Sequence, residues 1–365
     1  MSGIMAVGAG SMAATYQLLV AQSNQLQISM TTLTEQAATG LVSPTFGGLG
    51  AAAATTIGLG TEVTQQQALI GGITAADGQL GLTQSTLSEI GGIAQNFVSQ
   101  AGELTNADPS SVTAVAGAAQ AALQQLTGLL DTQNGGNYLF GGAQPGTAPV
   151  PNPDQILSSG FYTQIQTAVQ GLATNGATAT IAATQAIAAS NAAGTTPFSA
   201  YLSQPASQLQ GDLQQVPIGN GQYETIGVVA SANTAAVSTG PSTTGSYVRD
   251  LMRALATLGS MTSGQVTATG FTSLVQDTIG TLQGVVGAVA DEQAILGGRQ
   301  NVIDQAGTVM TTLNTSLQSQ IGAIQDVNVA QVSTQLSQTQ ASLQASYKMI
   351  ANLSTNTLLN YLPIG

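Results

Sequence analysis

The sequence predicts a mainly α protein. Long terminal helices pair as a coiled coil, a helical rod domain lies between them, and a smaller α+β insertion domain interrupts the rod. Three observations carry this reading. First, no proline falls between Arg299 and Leu362, and apolar residues recur there at three- and four-residue steps: Val302, Val309, Leu313, Leu317, Ile321, Ile324, Leu336, Leu343, Tyr347, Ile350 and Leu353. That spacing predicts one narrow apolar stripe along a near-continuous helix. Second, Tyr16, Leu19, Ser23, Leu26, Met30, Leu33 and Ala37 alternate steps of three and four, the period of a coiled-coil seam. Third, the remainder of both stretches is Gln, Ser, Thr and Asn. A helix with a single stripe is unstable alone and needs a partner along its length.

The elements follow in order. Gly40 ends the first helix, and Ser43-Pro44 makes the break firm. Residues 1–44 form the N-terminal coiled-coil segment. Residues 45–142 form the first part of the rod. Within it, Thr61 to Ala107 reads as a second long helix, with Val63, Ile70, Ile73, Leu80, Leu87, Ile90 and Phe97 at helical steps. Asp108 and Pro109 suit the cap and first position of a third helix, from about Ser110 to Thr132. Asn134-Gly135-Gly136 is turn chemistry, and Tyr138 to Gly141 reads as a short strand.

Pro145, Pro149, Pro151 and Pro153 mark a linker into the insertion, residues 143–245. Its clearest strand is Tyr223 to Val229. Ser246 restarts helix, and residues 246–298 complete the rod. Within them a helix from about Thr269 to Gly298 runs into the C-terminal coiled-coil segment, 299–365.

Composition narrows the function. Only 5% of residues are charged, against roughly a quarter in ordinary globular proteins. Such a surface repels its own copies weakly and favours self-association. The net charge is −12 and the chain holds 4 Lys and Arg, too few to neutralise a phosphate backbone or an anionic membrane. Charge-free stretches are broken by Ser, Thr, Gln and Gly, so no membrane span is read. The start of the chain has no positively charged region of the secretory kind.

Cys and His are absent, which removes thiolate nucleophiles, the usual general base and the commonest metal ligands. No catalytic residue, metal site or cofactor is assigned, and the chain is read as no enzyme. Gly8-Ala9-Gly10-Ser11-Met12-Ala13 fits a loose dinucleotide pattern but lacks a preceding strand, so it reads as a glycine-rich terminus. Asp291 and Glu292 are adjacent, point to different sides of a helix and read as a solvated face.

Several stretches together resemble the bacterial flagellin superfamily. These are the heptad from Tyr16 to Thr39-Gly40, Leu80 to Leu87, the Gly136-Asn137-Tyr138-Leu139-Phe140-Gly141-Gly142 turn, Arg249 to Leu255, and the tail Leu358-Leu359-Asn360-Tyr361-Leu362. The turn and the tail are more similar to the hook–filament junction members than to filament flagellins. The likeness covers about residues 5–142 and 246–362 and not the insertion. The family usually places Arg or Lys after the glycine that ends the first helix, where this chain has Leu41-Val42-Ser43-Pro44.

The resemblance implies a structural subunit of the flagellum, extracellular and exported without a cleaved signal peptide. It implies helical self-assembly, neighbouring axial proteins and an export chaperone as partners. The assembly interface expected from the stripes is Tyr16, Leu19, Leu26, Met30 and Leu33, then Leu313, Leu317, Ile321, Ile324, Leu336, Leu343, Ile350 and Leu353. The alternatives are a filament flagellin, or a coiled-coil adhesin or secretion-tip protein.

Overall fold

The computed structural model describes residues 4–106, 108–233 and 236–355, with side chains over 14–353. The protein is mainly α, as the stripes predict. Its helices are α1 (Ile4–Thr39), α2 (Ala53–Glu103), α3 (Pro109–Leu130), α4 (Gly160–Gln170), α5 (Leu172–Ala189), α6 (Ala206–Gly211), α7 (Tyr247–Gly259), α8 (Phe271–Gln325) and α9 (Val329–Thr355). The glycine pattern at residues 8–13 lies within α1, with no strand before it among the described residues. Two short antiparallel hairpins complete the fold: β1 (Gln133–Asn134) with β2 (Asn137–Tyr138), and β3 (Gln215–Gly219) with β4 (Gln222–Thr225). The chain divides into two compact units. One comprises residues 1–67 and 312–365, and the other residues 68–311.

The larger unit owns the hydrophobic core. Leu80, Leu87, Ile90 and Phe97 of α2 meet Leu123, Leu126 and Leu130 of α3 and Leu274, Leu282 and Val289 of α8 in one buried cluster. α2 and α8 run antiparallel. Gln300 donates to the Asp77 carboxylate (2.6 Å), Gln84 donates to Gln300 (3.1 Å), and Gln293 reaches the Gln84 carbonyl (3.3 Å). α3 starts as its sequence dictates. Asp108 accepts from the Ser110 N–H (3.3 Å) and both following hydroxyls, and Pro109 takes the first turn, where its missing N–H costs nothing.

Residues 143–245 contribute to that same cluster. Val150, Ile156, Phe161, Ile165 and Val169 lie in it beside Leu123, Tyr247 and Leu251. Tyr162 of α4 and Gln120 of α3 both donate to the Gly259 carbonyl at the end of α7 (2.8 and 2.7 Å). Among the described residues, the segment shares its core with the rod helices. The predicted strand at Tyr223–Val229 is shorter. β4 pairs with β3 through an Asn220-Gly221 turn, both residues at positive φ, as a two-residue hairpin requires. Val229 makes a separate bridge to Gly141.

α7 is the centre of this unit, and every residue from Tyr247 to Gly259 is buried. Three of its side chains are charged, and each is hydrogen-bonded. Asp250 accepts from the Thr244 N–H (2.8 Å) and the Thr243 and Thr244 hydroxyls. Arg253 pairs with Asp277 at 3.3 Å and donates to Thr281 (2.5 Å). Arg249 is held by carbonyl oxygens. The adjacent acids of α8 correct the sequence reading. Asp291 is exposed, but Glu292 is fully buried and accepts the Ala236 N–H at 3.0 Å. A charge within a helical register is solvated only if its turn faces water, and here the turn at 292 faces the core.

Candidate assembly surface

In the smaller unit, α1 packs against α9. The pair is antiparallel. Gln27 donates to the Tyr347 hydroxyl near one end. At the other end the Val42 N–H bonds the Gln325 carbonyl (2.6 Å) and the Val327 N–H bonds the Gly40 carbonyl (2.9 Å). Gly40 stops α1 at φ +72°, a conformation an L side chain resists. The clasp also explains why the C-terminal helix is not continuous. Asp326-Val327-Asn328 leaves helical geometry, and Asn328 restarts it by accepting the Gln331 N–H at 3.2 Å. The expectation of a near-continuous helix failed because a chain break needs no proline when a strand-like bridge to residue 41 supplies the hydrogen bonds.

The seams are heptad seams. On α1 the covered positions include Leu19, Ser23, Leu26, Met30, Leu33 and Ala37. On α9 they are Val332, Leu336, Thr339, Leu343, Ser346, Ile350 and Leu353. The distal part of α8 covers Asn314, Leu317, Ile321 and Ile324, and Asn314 reaches the Val63 carbonyl of α2 at 3.3 Å. Leu317, Leu343 and Val332 are buried, while Leu19, Leu26, Met30, Leu33, Ile321, Ile324, Leu336, Ile350 and Leu353 are half-buried.

Two of the thirteen residues expected at the interface are exposed in the single chain. Tyr16 is exposed, and Leu313 is 40% exposed against 8% for Leu317. The seam on α8 passes through Ile303, Gly307, Met310, Asn314 and Leu317, and Val302, Val309 and Leu313 stand one residue off it. Reading apolar residues alone missed this, because a glycine and an asparagine occupy seam positions.

This unit has little apolar interior. Its buried residues, among those described, are Leu317, Val332 and Leu343 on the apolar side and Ser23, Thr56, Gln66, Asn314 and Ser346 on the polar side. The Gln66 Oε1 and Ser346 Oγ have no hydrogen-bond partner among the described residues. Conversely, most large exposed apolar side chains belong to it: Tyr16, Leu18, Ile28, Val42, Phe46, Ile57, Leu313, Val329, Tyr347 and Met349. A coiled coil that buries polar groups and shows apolar ones outward is an incomplete core.

Residues 279–362 match the family model of the bacterial flagellin C-terminal helical region. This supports the bacterial flagellin superfamily. The matched stretch runs from within α8 through α9 to the end of the tail, and so contains the whole C-terminal share of the surface described above. The tail motif at Leu358–Leu362 falls outside the described residues. No curated protein matches the chain. The flagellin relationship supports a flagellar structural subunit that self-assembles, in a family that is structural rather than enzymatic. Among the described residues, no helix is long and apolar enough to cross a membrane.

Proposed function

We propose that the chain is the second hook–filament junction subunit of the bacterial flagellum, a hook-associated protein 3, and that it works by helical self-assembly through α1, α9 and the distal part of α8. One observation carries the assembly role. The unit that bears residues 312–362 of the flagellin match buries three apolar residues among those described and leaves ten large ones exposed. Ordering such a unit is favourable when neighbouring copies cover the exposed residues.

The interface is then Tyr16, Leu313 and the outward edges of Leu19, Leu26, Met30, Leu33, Ile321, Ile324, Leu336, Ile350 and Leu353, with Leu317 and Leu343 holding the helices that present them. The junction placement rests on the Tyr138–Gly142 segment and the tail at Leu358–Leu362, both similar to junction members. The partners are further copies, the neighbouring axial proteins and an export chaperone. The location is the extracellular flagellum.

The filament flagellin is the second reading, favoured by the flagellin description of the matched region. Immunogold labelling of intact flagella with antibody to residues 143–245 separates the two. Label confined to the boundary between hook and filament supports the junction. Label along the filament assigns the chain to flagellin, and label on the cell surface away from flagella overturns both.

A further inference from the structure

Arg249 is only 7% exposed, yet the ion pairs among the described residues are made by Arg253 and Arg299. Its guanidinium instead donates from Nε to the Ser231 carbonyl (2.6 Å), from Nη1 to the Ala188 and Ser190 carbonyls (2.8 and 3.3 Å), and from Nη2 to Asn191 Oδ1 (2.6 Å). The Phe198 ring lies 5.1 Å away on its face. A guanidinium has five N–H groups, so one on Nη2 has no acceptor among the described residues. Burial lowers its pKa only to about 10, so the charge persists at neutral pH.

A cavity of about 270 Å³ opens beside it. The cavity is lined by Arg249, Asn191, Gln204, Gln210, Ser231 and Asn233 among others, and no lining residue is acidic. In a chain with 16 acidic and 4 basic residues this is an uncommon setting. Asp250, next in sequence, is not on the cavity wall, and its oxygens are taken by residues 243 and 244. Ser231 is 3% exposed and its Oγ has no hydrogen-bond partner among the described residues. Ser246, which begins α7, also lines the wall, and the start of a 13-residue helix favours negative charge.

We propose that this cavity binds a single carboxylate or tetrahedral oxyanion, held by the free Nη2–H of Arg249 and the hydroxyl of Ser231. A buried cation without a counter-charge is costly, and an anion entering here would neutralise it while satisfying both orphan donors. The cavity has room for one such group and walls that offer amide and hydroxyl hydrogen bonds. The anion comes either from solution or from an acidic side chain of a second copy.

The test uses the full-length monomer at high dilution, titrated with sodium phosphate or sodium acetate against sodium chloride at equal ionic strength. The readouts are the thermal midpoint and the guanidinium proton signals of Arg249. The expected result is a saturable rise of several degrees and a saturable shift of those signals with phosphate or acetate. Ser231→Ala, which removes a hydroxyl with no protein partner, keeps the fold and weakens the response severalfold. Ser231→Asp supplies the carboxylate internally, so it raises the midpoint in chloride and abolishes the response. Loss of the response on assembly assigns the neighbour's side chain as ligand, and persistence assigns the dissolved ion. A wild-type monomer that responds alike to all three salts overturns the site, and so does a Ser231→Asp variant with a lowered midpoint.

Discussion

Leu313 and Leu317 stand one helical turn apart on α8, and substituting each by Asp separates holding the helices from joining the copies. Leu317 is 8% exposed in the seam. Removing its side chain from that seam forfeits roughly 1.5–3 kcal/mol of burial. The carboxylate that replaces it must be desolvated or protonated, which costs a further 1–3 kcal/mol, roughly, in a seam rimmed by polar groups. Leu317→Asp should therefore destabilise the small unit by about 3–5 kcal/mol, more than a thousandfold in its local equilibrium at the upper end. Leu313 is 40% exposed, and an exposed substitution of this kind stays within about 0.5 kcal/mol.

The assay is two-stage. Urea denaturation of the monomer, followed by circular dichroism, reads the first effect. Electron microscopy and light scattering of salt-induced polymer read the second. We expect Leu317→Asp to lose an early helical transition and to fail to polymerise. Leu313→Asp should keep the monomer's denaturation curve and also fail to polymerise. A Leu317→Asp monomer with an unaltered curve would show that the seam holds nothing together in the monomer. Normal polymer from Leu313→Asp would remove that residue from the interface.

Two predictions concern the larger unit. Gly284 lies inside α8 with an ideal Cβ position 2.2 Å from the Thr239 carbonyl oxygen, whereas Gly287 has nothing within 4 Å. Gly287→Ala should stabilise by up to about 1 kcal/mol from helix propensity, while Gly284→Ala should destabilise by roughly 2 kcal/mol or more as backbone is pushed aside. Equal midpoints for the two variants would contradict the close approach. Asp131 is partly buried and its carboxyl is raised to about 6 from 3.8, chiefly by burial, although it accepts the Val150 N–H at 2.9 Å. The folded state thus holds this proton more tightly than the unfolded state. The contribution of this group to stability should be greatest below pH 3.8, fall as pH rises to about 6 and stay level above. The full shift is worth about 3 kcal/mol, which partial exposure reduces to roughly 1 kcal/mol. Asp131→Asn keeps the acceptor, so its midpoint at pH 7 should exceed wild type and the slope between pH 4 and 6 should lessen. An unchanged slope would place the titration elsewhere.

The long helices were legible because their periodicity is carried by the residues that face inward. Gly40, Asp108, Pro109 and Ser246 mark boundaries that lie within a residue or two of those found, each through a local backbone mechanism that tertiary context does not override. The α8 seam was legible only in part. Gly307 and Asn314 take positions that an apolar template skips, so Val302, Val309 and Leu313 were drawn into the stripe in their place. The break at residues 326–328 depends on a hydrogen-bonded clasp to residues 40–42, a contact between distant segments that no local pattern encodes. The place of residues 143–245 was hidden for a related reason. A proline-rich entry suggests a separate body, but Phe161, Ile165 and Val169 bury themselves against α3 and α7, and the sequence does not say whose apolar face they complete.

α7 carries the residue-level signal that periodicity analysis passed over. Arg249, Asp250 and Arg253 are three of the chain's 20 charges, set within five residues. Where nearly every surface charge has been replaced by an amide or hydroxyl, a retained charge needs a structural reason, and each of these three is buried with named acceptors or donors. The same economy shapes the terminal unit in the opposite sense. Leucines at Ser23 and Ser346 would extend the apolar contact of α1 with α9, and leucines at Thr56, Gln66 and Asn314 would do the same for α2 and the distal part of α8. The polar residues found there give up that stability, roughly 1 kcal/mol or more at each position. They leave the balance to be made by Tyr16, Leu18, Ile28, Leu313 and Met349, whose apolar area is gained only when something covers it. Near-neutral surfaces remove the repulsion that would otherwise oppose that covering. Weak seams, outward apolar residues and scarce charge therefore act in one direction: the larger unit has its own core, and the proposed assembly would complete that of the terminal unit.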